Sequence, residues 1–139
     1  MFHGLSLIWQ CDCMMNIYFA QESPELFQKV KETVDKYLKN INIISCSLDM
    51  VVNGEVKSDS SCLLMMDLDL PGKNTLGFLN EIKSKTKVPI VVLDDMNNGP
   101  GRMVKALRIG AEDYLFKPIR DSQLIASIIT NSKKIKYTV

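Results

Sequence analysis

An excess of charge of either sign is missing from this sequence. Seventeen basic and sixteen acidic residues leave a formal charge of +1, so nothing in the balance points to a nucleic-acid or membrane partner. No apolar run approaches the ~20 residues of a transmembrane helix. The opening MFHGLSLIWQ has neither a basic leader nor a small-residue cleavage site, which sets a secretory signal aside. Internal repeats, low-complexity stretches and linkers are also absent. The four cysteines are Cys11, Cys13, Cys46 and Cys62. Cys11-x-Cys13 has no second cysteine or histidine pair beside it to complete a four-ligand metal site. Cys46 and Cys62 lie in or beside apolar runs, where a free thiol behaves as a small hydrophobe. We expect all four reduced and the protein cytoplasmic.

What is present is an ordinary globular balance. With 139 residues, 46% hydrophobic and 24% charged, the chain is long enough for one domain with a real core and too short for two. Residues 1–14 read as an N-terminal extension and 15–139 as the domain. The stretch Leu63-Leu64-Met65-Met66-Asp67-Leu68-Asp69-Leu70-Pro71-Gly72 organises it. A continuous apolar run reads as a strand buried on both faces. It ends in a carboxylate, a second acid, and the chain reversal of Pro-Gly.

Further strands are expected at Ile17-Tyr18-Phe19-Ala20, at 41–48, at 88–93 and at Tyr114-Leu115-Phe116. Helices are expected over 24–39, with Ser23 as N-cap and Pro24 at its first position, and over 74–85. A loop is expected at Asn97-Asn98-Gly99-Pro100-Gly101, then a helix carrying Met103, Val104, Leu107 and Ile109 and stopped by Gly110. A final helix, capped by Asp121 or Ser122, carries Leu124, Ile125, Ile128 and Ile129 ahead of the basic tail Lys133-Lys134-Ile135-Lys136. Residues 49–61 suggest a short or irregular helix and a loop at Ser58-Asp59-Ser60-Ser61. Strand and helix alternate five times, which implies a parallel sheet covered on both sides. The fold class is therefore α/β: a doubly wound five-stranded parallel sheet, flavodoxin-like, of order 2-1-3-4-5.

In such sheets chemistry gathers at the carboxyl ends of the strands. Those ends carry Glu22, Asp67, Asp94 with Asp95, and Lys117. A hard divalent cation takes one or two carboxylates, a carbonyl and waters, and a lysine suits a phosphoryl oxygen. Asp67 is then a candidate nucleophile for an acyl phosphate.

The run 63–80 (LLMMDLDLPGKNTLGFLN), Lys87-Val88-Pro89-Ile90-Val91-Val92-Leu93 and Ala106 to Pro118 (ALRIGAEDYLFKP) resemble the receiver domain of two-component response regulators. The resemblance covers nearly everything from Asn16 onward and rests on the Asp-x-x-x-Pro turn and the Gly-Ala-x-Asp-Tyr-x-x-Lys-Pro run in order. It implies that Asp67 accepts a phosphoryl group, that Lys117 contacts that group, and that Pro118 follows a cis bond. It also implies Mg²⁺ held by Glu22, Asp67 and the backbone carbonyl of Asp69, with Tyr114 as the aromatic that swings inward on activation. The implied donor is a sensor histidine kinase or phosphotransfer protein, and catalysis is limited to the domain's own phosphorylation and dephosphorylation. The signal would pass through residues 100–133 to a downstream protein or an output domain outside this chain. No direct nucleic-acid contact is implied, and a homodimer is allowed.

Two positions depart from the family pattern. Its members usually carry two acids after the first strand, where this chain has Gln21-Glu22. They carry Ser or Thr after the fourth, where this chain has Asp94 followed by Asp95. An ionised Asp94 accepts hydrogen bonds but donates none, and it repels a phosphoryl group. Asp94 either replaces the lost acid beside Glu22 and Asp67, or clustering raises one carboxylate's pKa until it holds a proton. The expectation is weakened phosphorylation and an altered coupling to Tyr114. The alternative is a pseudo-receiver, a phosphorylation-independent interaction module. A flavin-binding domain of the same architecture is disfavoured, since Gln21-Glu22-Ser23-Pro24 is acidic and lacks glycine.

Overall fold

The computed structural model describes residues 8–56, 62–132 and 135–138. Its elements are β1 (Ile8–Ala20), α1 (Pro24–Tyr37), β2 (Leu38–Cys46), α2 (Leu48–Val52), β3 (Cys62–Asp67), α3 (Thr75–Lys85), β4 (Ile90–Asp95), α4 (Pro100–Ile109), β5 (Asp113–Lys117), α5 (Asp121–Asn131) and β6 (Ile135–Thr138). A short 3₁₀ turn, Met96–Asn98, links β4 to α4.

The five parallel strands run β2-β1-β3-β4-β5, the doubly wound order expected from the alternation. Residues 16–20 of β1 pair with 42–46 on one side and 62–66 on the other, which places β1 at the switch point of the sheet. A sixth strand lies outside that pattern: β6 pairs antiparallel with Ile8–Cys11 at the start of β1. Where an N-terminal extension is expected over 1–14, residues 8–13 instead continue β1. The β1–β2 register slips between Gln10 and Met15, opposite Lys39 and Ile41. Asn40, between those two, has φ 62°, a left-handed conformation that asparagine tolerates better than most residues. Residues 1–7 and the expected loop Ser58-Asp59-Ser60-Ser61 lie outside the described residues.

Strand side chains alternate between the two faces of the sheet. Leu63 and Met65 of β3 join Ile17, Phe19, Val91 and Leu93 beneath α1 and α5. Leu64 and Met66 join Ala20, Ile90 and Val92 beneath α3 and α4. All six residues of β3 are buried, as a strand covered on both faces requires.

Local signals set the ends of the elements. Ser23 Oγ accepts the Leu26 N–H and caps α1. At the expected start of α5, Asp121 is the first helical residue rather than the cap, and its carboxylate accepts a hydrogen bond from Thr33 on α1 at 3.1 Å. β4 begins two residues later than expected and runs on through Asp94 and Asp95, so Asp94 is the penultimate residue of a buried strand. The loop expected over 97–101 is shorter, because α4 already begins at Pro100, a residue suited to the first turn of a helix.

Candidate functional site

β3 carries Asp67 to the carboxyl end of the sheet, where its side chain is almost wholly enclosed. Its Oδ1 accepts the Asp69 N–H at 2.9 Å, and both oxygens accept from Lys117 Nζ at 3.1 Å. Burial raises the Asp67 pKa, and the Asp69 N–H and Lys117 partly oppose the rise. The carboxylate is thus more basic than one in water. Lys117 is the last residue of β5, where it pairs with Asp95 of β4, and the peptide bond to Pro118 is cis. The two residues meet although they lie 50 positions apart.

The Pro-Gly signal builds the loop after β3. Leu70 O accepts the Lys73 N–H at 3.2 Å, with Gly72 at φ 77°. A β-turn with proline second and a left-handed third residue favours glycine there. The turn sends Lys73 back toward β1, where its ammonium lies 3.2 Å from Glu22 and 3.5 Å from Asp49. Its pKa rises, chiefly through the Glu22 hydrogen bond and then the Asp49 charge. Glu22 is therefore an ion-pair partner of a lysine that the sequence reading did not single out. Gln21 is held by its neighbours. Its Nε2 donates to Ser45 Oγ at 2.7 Å and its Oε1 accepts the Ser23 N–H at 2.7 Å.

Asp94 shows no accessible surface. Its Oδ1 accepts from Asn98 Nδ2 at 2.8 Å and from the Asp95 N–H at 2.9 Å. Its Oδ2 accepts from Arg102 Nε at 3.0 Å and from the Tyr114 hydroxyl. Burial, followed by the bond to Asp94 and its charge, pushes the Tyr114 phenol well above its ordinary range, against a smaller opposing effect of Arg102. The structure thus assembles Asp94 and Tyr114, as the sequence reading paired them, but through a direct bond. Arg102 adds a second contact, donating from Nη1 to Leu68 O at 3.1 Å. Asp69 completes the cluster, at 3.8 Å from Lys117 and 4.0 Å from Arg102, and accepts from Asn98 at 3.2 Å. A continuous polar chain therefore runs from Asp67 through Lys117, Asp69 and Arg102 to Asp94 and Tyr114.

Lys73, Asn98 and Arg102 escaped the sequence reading. Lys73 had a signal, since a residue after Pro-Gly at a strand end is returned to the sheet edge. Arg102 had none: its eight-residue separation from Asp94 crosses a 3₁₀ turn and a helix start.

Among the described residues no three Asp, Glu, His or Cys side chains gather closely enough to enclose a metal ion. Mg²⁺ does not ask for such a cage; it keeps several waters and takes one or two carboxylates. Asp67 and Glu22 offer hard oxygens, each paired with a lysine ammonium. The donor chemistry therefore fits a largely hydrated Mg²⁺.

Comparison with known proteins agrees with this architecture. The family described as the response regulator receiver domain matches residues 17–129. The transcriptional regulatory protein CpxR of Klebsiella pneumoniae is 29% identical over 119 residues, which cover 83% of this chain and 48% of CpxR. The response regulator protein GraR of Staphylococcus saprophyticus is 27% identical over 114 residues, 82% of this chain and 50% of GraR. The chain spans about half the length of these curated relatives. Among solved structures, the Francisella response regulator 1452 receiver domain superposes with TM-score 0.71 at 16% identity, covering 86% of this chain and 97% of that one. A two-component response regulator from Clostridium difficile gives 0.72 at 23% identity, covering 84% and 94%. With the family match spanning most of its length, the sheet in the same order and a carboxylate–lysine pair at the strand ends, this chain belongs to the response regulator receiver domain family of two-component signalling.

Proposed function

We propose that the domain accepts a phosphoryl group on Asp67 and relays that change through the surface formed by residues 100–133. The observation that carries this reading is the buried Asp67 carboxylate held by Lys117 at 3.1 Å through both oxygens. A desolvated, more basic carboxylate is a better nucleophile, and the ammonium beside it offsets arriving charge. With a phosphohistidine donor, an Asp67 oxygen forms the new P–O bond as the P–N bond breaks. The electron pair returns to the imidazole nitrogen. Lys117 then faces an acyl phosphate in place of a carboxylate. The donor on this reading is a sensor histidine kinase or phosphotransfer protein.

Receiver domains generally bind Mg²⁺ at the phosphorylation site. In this chain Asp67, Glu22 and the Asp69 carbonyl are the groups proposed to hold it, and bound Mg²⁺ supplies further charge neutralisation for the transferred group. Lys73 holds one Glu22 oxygen, Oε2, at 3.2 Å. On the relay surface, Val104 and Leu107 of α4 are 43% and 45% exposed, and Tyr114 packs against Phe116 with ring centroids 5.2 Å apart. Exposed apolar groups on one helix suit a protein partner.

The pseudo-receiver reading draws on a different observation. Tyr114 is bonded to Asp94, and Asp94 to Arg102; on this reading those bonds hold the partner surface without modification of Asp67. Intact mass after incubation with acetyl phosphate and Mg²⁺, for wild type and Asp67→Asn, separates the two. A gain of one phosphoryl group by the wild type alone is the expected result. No gain by a well-folded wild type overturns the phospho-acceptor reading in favour of the pseudo-receiver.

A further inference from the structure

Asp94 poses a problem of charge at a site that takes an anion. A phosphoryl group adds close to two negative charges beside Asp67, Asp69 and Asp94. Asp94 is acceptor-only when ionised, and its oxygens already receive four hydrogen bonds. It has nothing to offer an incoming oxygen. Its cation does. Arg102 is fastened at Nε by Asp94 and at Nη1 by Leu68 O, the carbonyl directly after Asp67. These two bonds orient the planar guanidinium across the gap between β4 and the loop that follows β3. Its Nη2 makes a 4.0 Å charge contact with Asp69 Oδ1, too long for a hydrogen bond. Asp69 is shared with Lys117, 3.8 Å away on its other oxygen, and Lys117 is the ligand of Asp67. Two cations therefore flank one carboxylate at the mouth of the site.

We propose that Arg102 is a phosphoryl-recognition residue, anchored by Asp94 and turned toward the loop after Asp67, where it supplies the donor and the positive charge that Asp94 cannot. The inference rests on Asp67 being the phospho-acceptor. Guanidinium suits this task because its fork matches phosphate oxygens and it keeps its charge at every working pH. Asp94 then acts as a positioning residue for Arg102. Since Asp94 also holds the Tyr114 hydroxyl, a guanidinium drawn toward a phosphoryl group pulls on the bond network that fixes Tyr114. This arrangement couples Asp67 to β5 without a hydroxyl at position 94.

The test uses the full chain and two probes, acetyl phosphate followed by intact mass and beryllofluoride titrated by fluorine NMR, both at saturating Mg²⁺. Arg102→Gln is expected to slow phosphoryl gain and to weaken beryllofluoride binding roughly ten- to a hundredfold, the range for one charge-assisted hydrogen bond. Arg102→Gln leaves a buried carboxylate without its cation, so the double variant Asp94→Asn/Arg102→Gln is run beside it, with thermal melts for both. The same loss in the well-folded double variant supports the inference. Modification and beryllofluoride binding at wild-type levels in the double variant overturn it while leaving Asp67 as the acceptor. A wild type that takes neither probe overturns the acceptor reading and this inference with it.

Discussion

Asp67 is raised in pKa by its burial, with Lys117 and the Asp69 N–H working against the rise. The sign of the linked stability follows. The folded chain holds the Asp67 proton more tightly than the unfolded chain does. Its contribution to stability is therefore present at low pH and lost as pH rises through the folded pKa. At neutral pH the ionised carboxylate is a net cost. Asp67→Asn should melt above wild type at neutral pH, with the gap closing as pH falls into the carboxylate range. Melts over a pH series check this, and a gap that widens on acidification would contradict it. The Cys46 thiol is also pushed up, to about 11, by burial. It stays protonated at neutral pH and serves as packing.

At the scale of the element, the connection from β4 to α4 decides where the site's donors stand. Asn98 and Arg102 sit on either side of Gly99, which has φ 78° and ψ 171°. That combination is open essentially to glycine alone. There is space around the site of a Cβ at Gly99, so the obstacle is backbone conformation rather than crowding. Gly99→Ala should lower stability by about 1–3 kcal/mol, read by urea denaturation. It should also loosen the Asn98 and Arg102 contacts to Asp94, because both depend on where α4 starts. An unchanged denaturation midpoint would show that the connection adopts another path at little cost.

For the whole molecule, one sheet separates two apolar clusters, and β3 supplies both. Leu63 and Met65 face one, Leu64 and Met66 the other. Leu63→Ala and Met66→Ala each remove a fully buried side chain, on opposite faces, and each should cost about 2–5 kcal/mol. Because the strand is shared, both should lower a single cooperative transition. Two separable transitions in either variant would mean that the faces unfold independently. No helix among the described residues is long and apolar enough to cross a membrane.

The five parallel strands and the helices between them were legible because each follows a local rule. Apolar runs of strand length, Ser23-Pro24 at a helix start and Pro71-Gly72 at a reversal act over a few residues. Asp67 and Lys117 were legible for a related reason: each ends such a run, and strand ends in a parallel sheet share one edge. The pairing of β6 with the start of β1 was not, since residues 8–11 and 135–138 have little pattern of their own and meet only through the closed sheet. Nor was the state of Asp94. Its residue type fixed an acceptor and a negative charge at the end of β4. Whether that charge met a metal, held a proton or found a cation depended on which side chain of α4 came within 3.0 Å. Electrostatic partners are chosen by distance in space, and the local sequence holds no record of it. The sequence by itself determined the five parallel strands, their order and the carboxylate–lysine pair. Only the tertiary structure brought Lys73 to Glu22 and Arg102 to Asp94.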